Sequence, residues 1–176
     1  GTHAGDYTLT VTDANGCQAS DVATVTVTSP TISSSGSLST FTACSGVVSS
    51  EQSFSVSGTN MQANLVVTPP SGYEVSTSSG SGFGSSVSLA PSSGTVSSTT
   101  IYVRTTTGAA NADGGNIACT STNATTVNVA TGSATINSLP NVTASASESS
   151  GSASNDGIVC NGDNATLSGG GATSYT

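Results

Sequence analysis

Three kinds of side chain in this 176-residue sequence could take part in chemistry: one histidine, four cysteines and nine carboxylates. A hydrolase needs a nucleophile with a general base within hydrogen-bonding reach. The histidine, His3, stands two residues from the first residue, where chains are usually poorly ordered. No G-x-S-x-G nucleophile motif occurs. The sequence therefore predicts no catalytic residues, and we expect that the protein is not an enzyme.

The cysteines, Cys17, Cys44, Cys119 and Cys160, are widely spaced. Zinc sites usually contain close pairs such as C-x-x-C, and none occurs here. Wide spacing is typical of a disulfide framework formed in an oxidising compartment. Four cysteines allow three sets of pairings, and their spacing alone leaves all three open.

Three oxygen-rich segments are candidates for calcium: 13–16, 113–116, and 155–157 together with Asp163. None contains the full EF-hand pattern, which needs a bidentate Glu after the glycine. Asp, Asn and Gly are also the residues that tight turns require. We therefore expect turns and no cofactor, with Asp156 and Asp163 as weak candidates for calcium ligands.

Arg104 is the one fixed cation of the sequence. Strand alternation places Ile101 and Val103 inward and Arg104 outward. A bidentate ion pair with a carboxylate on a neighbouring strand, either Glu74 or Glu51, would fix the register of the sheet. Glu74 is the predicted partner in this structural ion pair.

The composition excludes several kinds of partner. With one arginine, no lysine and a net charge of −8, the chain has too few cations to neutralise a phosphate backbone, so we expect no nucleic acid binding. No apolar run approaches the roughly 20 residues that span a bilayer, so we expect no membrane insertion.

Only 6% of residues are charged, whereas disorder usually combines poor hydrophobicity with dense charge. Threonine and valine in alternation instead favour a folded, all-β chain.

Turn signals and period-two alternation divide the chain into three parts. Residues 1–29 contain a hairpin around the turn at 13–16, with strands near 7–12 and 23–27. Residues 30–137 have the strand spacing of a complete immunoglobulin-like sandwich, and residues 138–176 contain two strand-like segments, 141–146 and 164–168. The strands predicted for the central module are 37–43, 52–57, 62–68, 72–76, 86–90, 95–104, 114–119 and 124–136, the last either continuous or broken near Thr131-Gly132.

Two of the cysteines fall inside this central module. Cys44 follows its first predicted strand, and Cys119 is near its last strands. We therefore predict a Cys44–Cys119 disulfide, which would contribute about 4 kcal/mol by restricting the unfolded chain.

Several segments resemble a known family. "GDYTLTVTDANGCQAS" (5–20) resembles the closing hairpin of PKD-like and immunoglobulin-like tandem repeats in giant secreted adhesins of Bacteroidota. "GIVCNGDNATLSGGGATSYT" (157–176) is similar to the opening of the same repeat, and the segment 41–108, which contains "PSGYEVS" and "YVR", is similar to another sandwich repeat of these adhesins. The resemblance implies export by the type IX system, an extracellular location at the cell surface, and a role in attachment, gliding or filament formation. It also implies that the cysteines of the opening and closing segments, here Cys160 and Cys17, form a disulfide.

The resemblance makes 1–29 the closing hairpin of a module and 138–176 the opening strands of the next one. Tandem immunoglobulin-like sandwiches, one complete and one split between the two ends, are thus the predicted architecture. Either the chain is one period of a longer tandem chain, which the short junctions at Pro30 and Pro140 favour, or subunits exchange the hairpin by strand addition. Both predict adjacent copies arranged head-to-tail in a filament, with Cys17 bonded to Cys160 of the next copy.

The predicted function is a structural repeat of an extracellular filament or giant cell-surface adhesin, stiffened by disulfides and acting in attachment, gliding or biofilm. The alternative is a carbohydrate-binding or spacer region of a secreted polysaccharide-degrading enzyme, with surface glycans as partners. Such a region would present aligned exposed aromatic side chains, for which the candidates are Tyr73, Phe83, Tyr102 and Tyr175.

Overall fold

A computed structural model describes residues 3–148 and 158–171, and their regular secondary structure consists of β-strands. The chain divides into two compact units, Gly1–Ile136 and Asn137–Thr176. The first unit contains twelve strands: β1 (Gly5–Thr12), β2 (Gln18–Val25), β3 (Thr31–Ser35), β4 (Thr42–Cys44), β5 (Gln52–Thr59), β6 (Leu65–Thr68), β7 (Tyr73–Ser76), β8 (Val87–Leu89), β9 (Val96–Thr105), β10 (Asn116–Thr120), β11 (Val127–Ala130) and β12 (Thr135–Asn137). The second contains β13 (Thr143–Glu148) and β14 (Ala165–Gly170).

Strands β1 and β2 form the first hairpin, antiparallel from Gly5 opposite Val25 to Thr12 opposite Gln18. The turn between them is held by Asp13, whose carboxylate Oδ1 accepts hydrogen bonds from the backbone N–H of Asn15 at 2.9 Å and of Cys17 at 2.8 Å. An Asp that caps its own turn in this way explains why the segment 13–16 reverses the chain.

Residues 30–137 contain two antiparallel four-stranded sheets. Sheet 1 has the strand order β3-β5-β9-β7, and sheet 2 has the order β11-β10-β6-β8. Strands β12 and β4 form a separate pair. Alternate residues of each sheet point into one shared apolar core, an arrangement that is consistent with a β-sandwich. Its fully buried members include Val75, Ile101 and Val103 from sheet 1 and Leu65, Val67, Ile117 and Cys119 from sheet 2.

Most predicted strands are present with shifted ends, because pairing rather than alternation decides where a strand stops. The strand predicted at 124–136 is two strands, β11 and β12, which are separated at the alternative break near Thr131-Gly132. Between them the Thr131 hydroxyl is buried and donates to the carbonyls of Gly115 and Gly132, while Gly132 turns the chain with a φ of +69°. The strand predicted at 37–43 is reduced to the three residues of β4, and β3 forms at 31–35 instead.

In the second unit, β13 and β14 form an antiparallel hairpin, with Thr143 opposite Gly170 and Ala146 opposite Leu167. Both strands lie within one or two residues of the strand-like segments predicted at 141–146 and 164–168. In β13 alanine alternates with serine or threonine, and in β14 Ala165 and Leu167 alternate with Thr166 and Ser168, so the two faces of the hairpin differ in chemistry.

Candidate functional site

The first hairpin has one apolar face that nothing in the described structure covers. Tyr7, Leu9 and Val11 lie on the same face of β1, and their exposed fractions are 53%, 69% and 60%. Side chains of this kind are usually buried in folded proteins, and clusters of them at a surface mark sites of interaction. The opposite face is dominated by hydroxyl groups, those of Thr8, Thr10, Thr12, Ser20 and Thr24.

A carboxylate interrupts this apolar face. Asp21 of β2 pairs with Leu9 of β1, so the two side chains share the face. Asp21 Oδ1 accepts a hydrogen bond from the backbone N–H of Val22 at 2.9 Å. Any partner that covers the face has to leave this carboxylate hydrated or provide a donor for it, because an unpaired buried charge is costly.

The second hairpin also has an apolar face, built from smaller side chains. Ala144 and Ala146 of β13 share it with Leu167 and Gly169 of β14, and these residues line a shallow open depression. Leu167 is 83% exposed, the most exposed of the large apolar residues in the described structure. The other face again carries hydroxyls, those of Thr143, Ser145, Ser147, Thr166 and Ser168.

The predicted Cys44–Cys119 disulfide is absent, since both thiols are free. Alternation explains the error: Ala43 points into the core, so the next residue, Cys44, points to solvent, whereas Cys119 lies in the core of sheet 2. Burial raises the pKa of the Cys119 thiol to about 11. Cys17 and Cys160 are both exposed, and a bond between adjacent copies stays a prediction.

Arg104 and Glu74 lie directly opposite each other on β9 and β7 and form an ion pair, with 2.7 Å between Arg104 Nε and Glu74 Oε1. One nitrogen of Arg104 contacts one oxygen of Glu74, whereas the sequence predicted a bidentate ion pair. The ring of Phe83 covers the guanidinium, with 4.0 Å from Arg104 Cζ to the ring centroid. The single cation of the chain thus has both a carboxylate and an aromatic partner.

Glu51, the alternative partner, instead holds the loop 77–86 that joins β7 to β8. Its carboxylate accepts hydrogen bonds from the hydroxyl of Ser79 and from the backbone N–H of Gly80, the latter at 3.0 Å. The pKa of Glu51 lies below its ordinary value of 4.5, because both hydrogen bonds favour the ionised carboxylate. The bond from Ser79 has the largest effect, and the positive charge of Arg104 adds to it. We call the loop 77–86 the strap, because it folds over the outer face of sheet 1.

Sequence reasoning missed the two strap contacts, those of Phe83 and Glu51. The sequence named Glu51, which directly precedes β5, only as an alternative partner of Arg104, and the conformation of the strap decides which groups Glu51 contacts. Gly80 and Gly82 adopt φ values of +75° and +70°, so the glycines of "SSGSGFGSS" were the one available signal that the loop bends back onto the sheet.

Tyr73, one of the aromatic residues proposed for a sugar platform, lies in the core and not at a surface. Tyr73 is 4% exposed and packs edge-on against Phe41, with ring centroids 5.3 Å apart. Its hydroxyl donates to the carbonyls of Asp113 and Gly132, at 3.2 and 3.4 Å. Phe83 covers Arg104, Tyr102 lies on the outer face of sheet 1, and Tyr175 lies outside the described residues.

The candidate calcium segments form turns where the structure describes them. Asp13 caps its own turn, Asp113 Oδ2 accepts from the backbone N–H of Ala110 at 2.7 Å, and the backbone N–H of Asp163 donates to Cys160 at 3.0 Å. Asp156 lies outside the described residues. Within residues 3–148 and 158–171, no group of three His, Cys, Asp or Glu side chains is arranged to hold a metal ion.

Two further findings concern membrane spans and relatives of the chain. In the part that the structure describes, no helix has the length and apolar character needed to cross a membrane. Comparison with protein-family models, with curated proteins and with solved structures found no match.

Proposed function

We propose that the chain is a structural repeat of an extracellular filament or giant cell-surface adhesin. In this proposal its immunoglobulin-like sandwiches are arranged in tandem, and its two hairpins join neighbouring copies. The observation that supports this proposal best is the pair of uncovered apolar faces, one on each hairpin, whose most exposed large side chains are Leu9 and Leu167. Attachment, gliding or biofilm formation is the role that follows for such a repeat.

The two faces suit each other in side-chain size. The face of the first hairpin projects the large Tyr7, Leu9 and Val11, while the face of the second is built mainly from Ala144, Ala146 and Gly169 around Leu167. Large side chains pack best against small ones, because the two layers then interdigitate without voids. With the hydroxyl faces outward, the packed hairpins would form one small sandwich between copies.

The energy of this contact favours copies linked in one chain. Burying Leu9, Val11 and Leu167 contributes roughly 1.5–3 kcal/mol each, or about 5–9 kcal/mol together. Association of separate molecules costs about 4–15 kcal/mol in lost freedom, which cancels much of that gain. Linking consecutive repeats removes most of the cost, because the second hairpin is already held nearby.

A disulfide between copies would reinforce the same contact. Cys17 adjoins the turn of the first hairpin, and Cys160 precedes β14 of the second. Both are exposed, as a bond between separate copies requires. The glycan-binding alternative has no comparable support, because Tyr73 is buried and Phe83 stacks on Arg104.

The test is analytical ultracentrifugation and negative-stain microscopy of the full chain over a range of concentrations, under oxidising conditions. We expect an average mass that rises with concentration, beaded fibres, and Cys17–Cys160 peptides on non-reducing mass spectrometry. Leu9→Asp should abolish the assembly. The matched control is Thr10→Asp, which places the same charge on the opposite face of the same strand and should leave assembly intact.

A chain that stays monomeric at every concentration would contradict hairpin exchange between separate copies, and two copies linked in one chain whose Leu9 and Leu167 stay exposed would contradict the proposal as a whole. So would assembly that Leu9→Asp and Thr10→Asp weaken equally, because the contact would then not involve the apolar face.

A further inference from the structure

We infer that the folded chain resists the whole class of proteases that cleave after lysine or arginine. The sequence contains no lysine and one arginine, so Arg104–Thr105 is the single peptide bond that such proteases can cleave. Resistance therefore depends on where this one bond lies in the fold, and it is independent of any contact between copies.

The backbone on either side of the Arg104–Thr105 bond is hydrogen-bonded within the fold. Its strand, β9, is the longest of sheet 1 and runs between β5 and β7. The ladder with β7 includes Arg104 and Thr105, whereas the ladder with β5 ends at Val103, and beyond it the backbone N–H of Thr105 donates to the Ser49 hydroxyl at 3.0 Å. A protease binds its substrate as an extended strand, through those same backbone groups. Ile101, Val103 and Thr105 are fully buried on the inner face, so β9 cannot be withdrawn without opening the core.

The side chain of Arg104 is held as well. A trypsin-like protease must take the whole guanidinium into its specificity pocket, but this group is paired with Glu74 and covered by Phe83 of the strap. It is 26% exposed. Cleavage thus requires the ion pair, the ring contact, the ladder with β7 and the hydrogen bonds between Thr105 and Ser49 to break together, and it requires the buried Thr105 to leave the core.

The rate of cleavage should follow the small population of unfolded chain. At any moment, on the order of one folded domain in 1,000 or fewer is unfolded. Cleavage of the native chain should therefore be roughly 1,000-fold slower than cleavage of the denatured chain. This property suits a protein that has to persist outside a cell.

The experiment compares trypsin digestion of the full chain in native buffer and in urea, with mass spectrometry of the products. We expect the denatured chain to yield only the fragments 1–104 and 105–176, and the native chain to remain whole. Thr107→Arg is the matched control, because it adds the same residue type three positions later, at an exposed position in the loop after β9. It should be cleaved after residue 107 in the native state, and Thr122→Arg, in an exposed turn, provides a second control.

Native cleavage after Arg104 within tenfold of the denatured rate would overturn the inference. Equal resistance of both control variants would also overturn it, because the position of Arg104 in the sheet would then not be the cause.

Discussion

Replacing Arg104 with alanine removes the one cation of the chain from the outer face of sheet 1. The change eliminates the ion pair with Glu74 and the ring contact with Phe83, and it leaves two carboxylates, Glu74 and Glu51, without a nearby positive charge. Because β9 is central to sheet 1, the loss should weaken its connection to β7 and to the strap together.

The expected cost can be built from the separate contacts. Exposed ion pairs contribute roughly 0.2–1 kcal/mol, and this pair belongs near the upper limit because its side chains are 26% and 20% exposed. A cation over an aromatic ring adds roughly 0.5–2 kcal/mol. We therefore expect Arg104→Ala to lower the free energy of unfolding by about 2 kcal/mol. For a domain of about 100 residues this corresponds to a fall in Tm of roughly 8 °C.

The assay is urea and thermal unfolding followed by circular dichroism, with the slope of the urea transition as a check that the unfolded state is unchanged. Thr100→Ala is the matched control, because Thr100 is exposed on the same face of the same strand. It should change stability by less than about 0.5 kcal/mol. Arg104→Lys should lie between the two, since it keeps the charge and loses the planar stacking. Equal stability of Arg104→Ala and Thr100→Ala would refute the reasoning.

Two more predictions concern titrating groups. The pKa of Glu51 is lower in the folded than in the unfolded state, so its contribution to stability is complete above about pH 4.5 and disappears as the pH falls through the folded pKa. Glu51→Gln should therefore flatten the acid side of a stability-versus-pH curve, and an unchanged curve would contradict the assignment. Cys119, with a pKa of about 11, should resist alkylation by iodoacetamide in the folded chain while the exposed Cys44 reacts. Mass spectrometry of labelled peptides measures this, and labelling of Cys119 at the rate of Cys44 would show that the core opens easily.

The sequence was informative wherever local pattern decides structure. Period-two alternation predicted β5 at 52–57 and β9 at 95–104 within a few residues, because a strand with one buried face has to alternate. The same rule placed Arg104 on the outside, and the structure gives it Glu74 as its cross-strand neighbour. The all-β class follows from composition for the same reason: threonine and valine suit a pleated, half-buried surface.

Long-range placement was decided by tertiary structure alone. The spacing of Cys44 and Cys119 is compatible with a disulfide, but a shift of one residue turns a side chain to the opposite face, and β4 pairs so that Cys44 points outward. The contact of Phe83 with Arg104 depends on a ten-residue loop whose path no periodicity encodes. By itself the sequence determined which residues alternate and which charges exist. The structure determined which of them meet, because strand register and loop paths depend on packing between segments far apart in the chain.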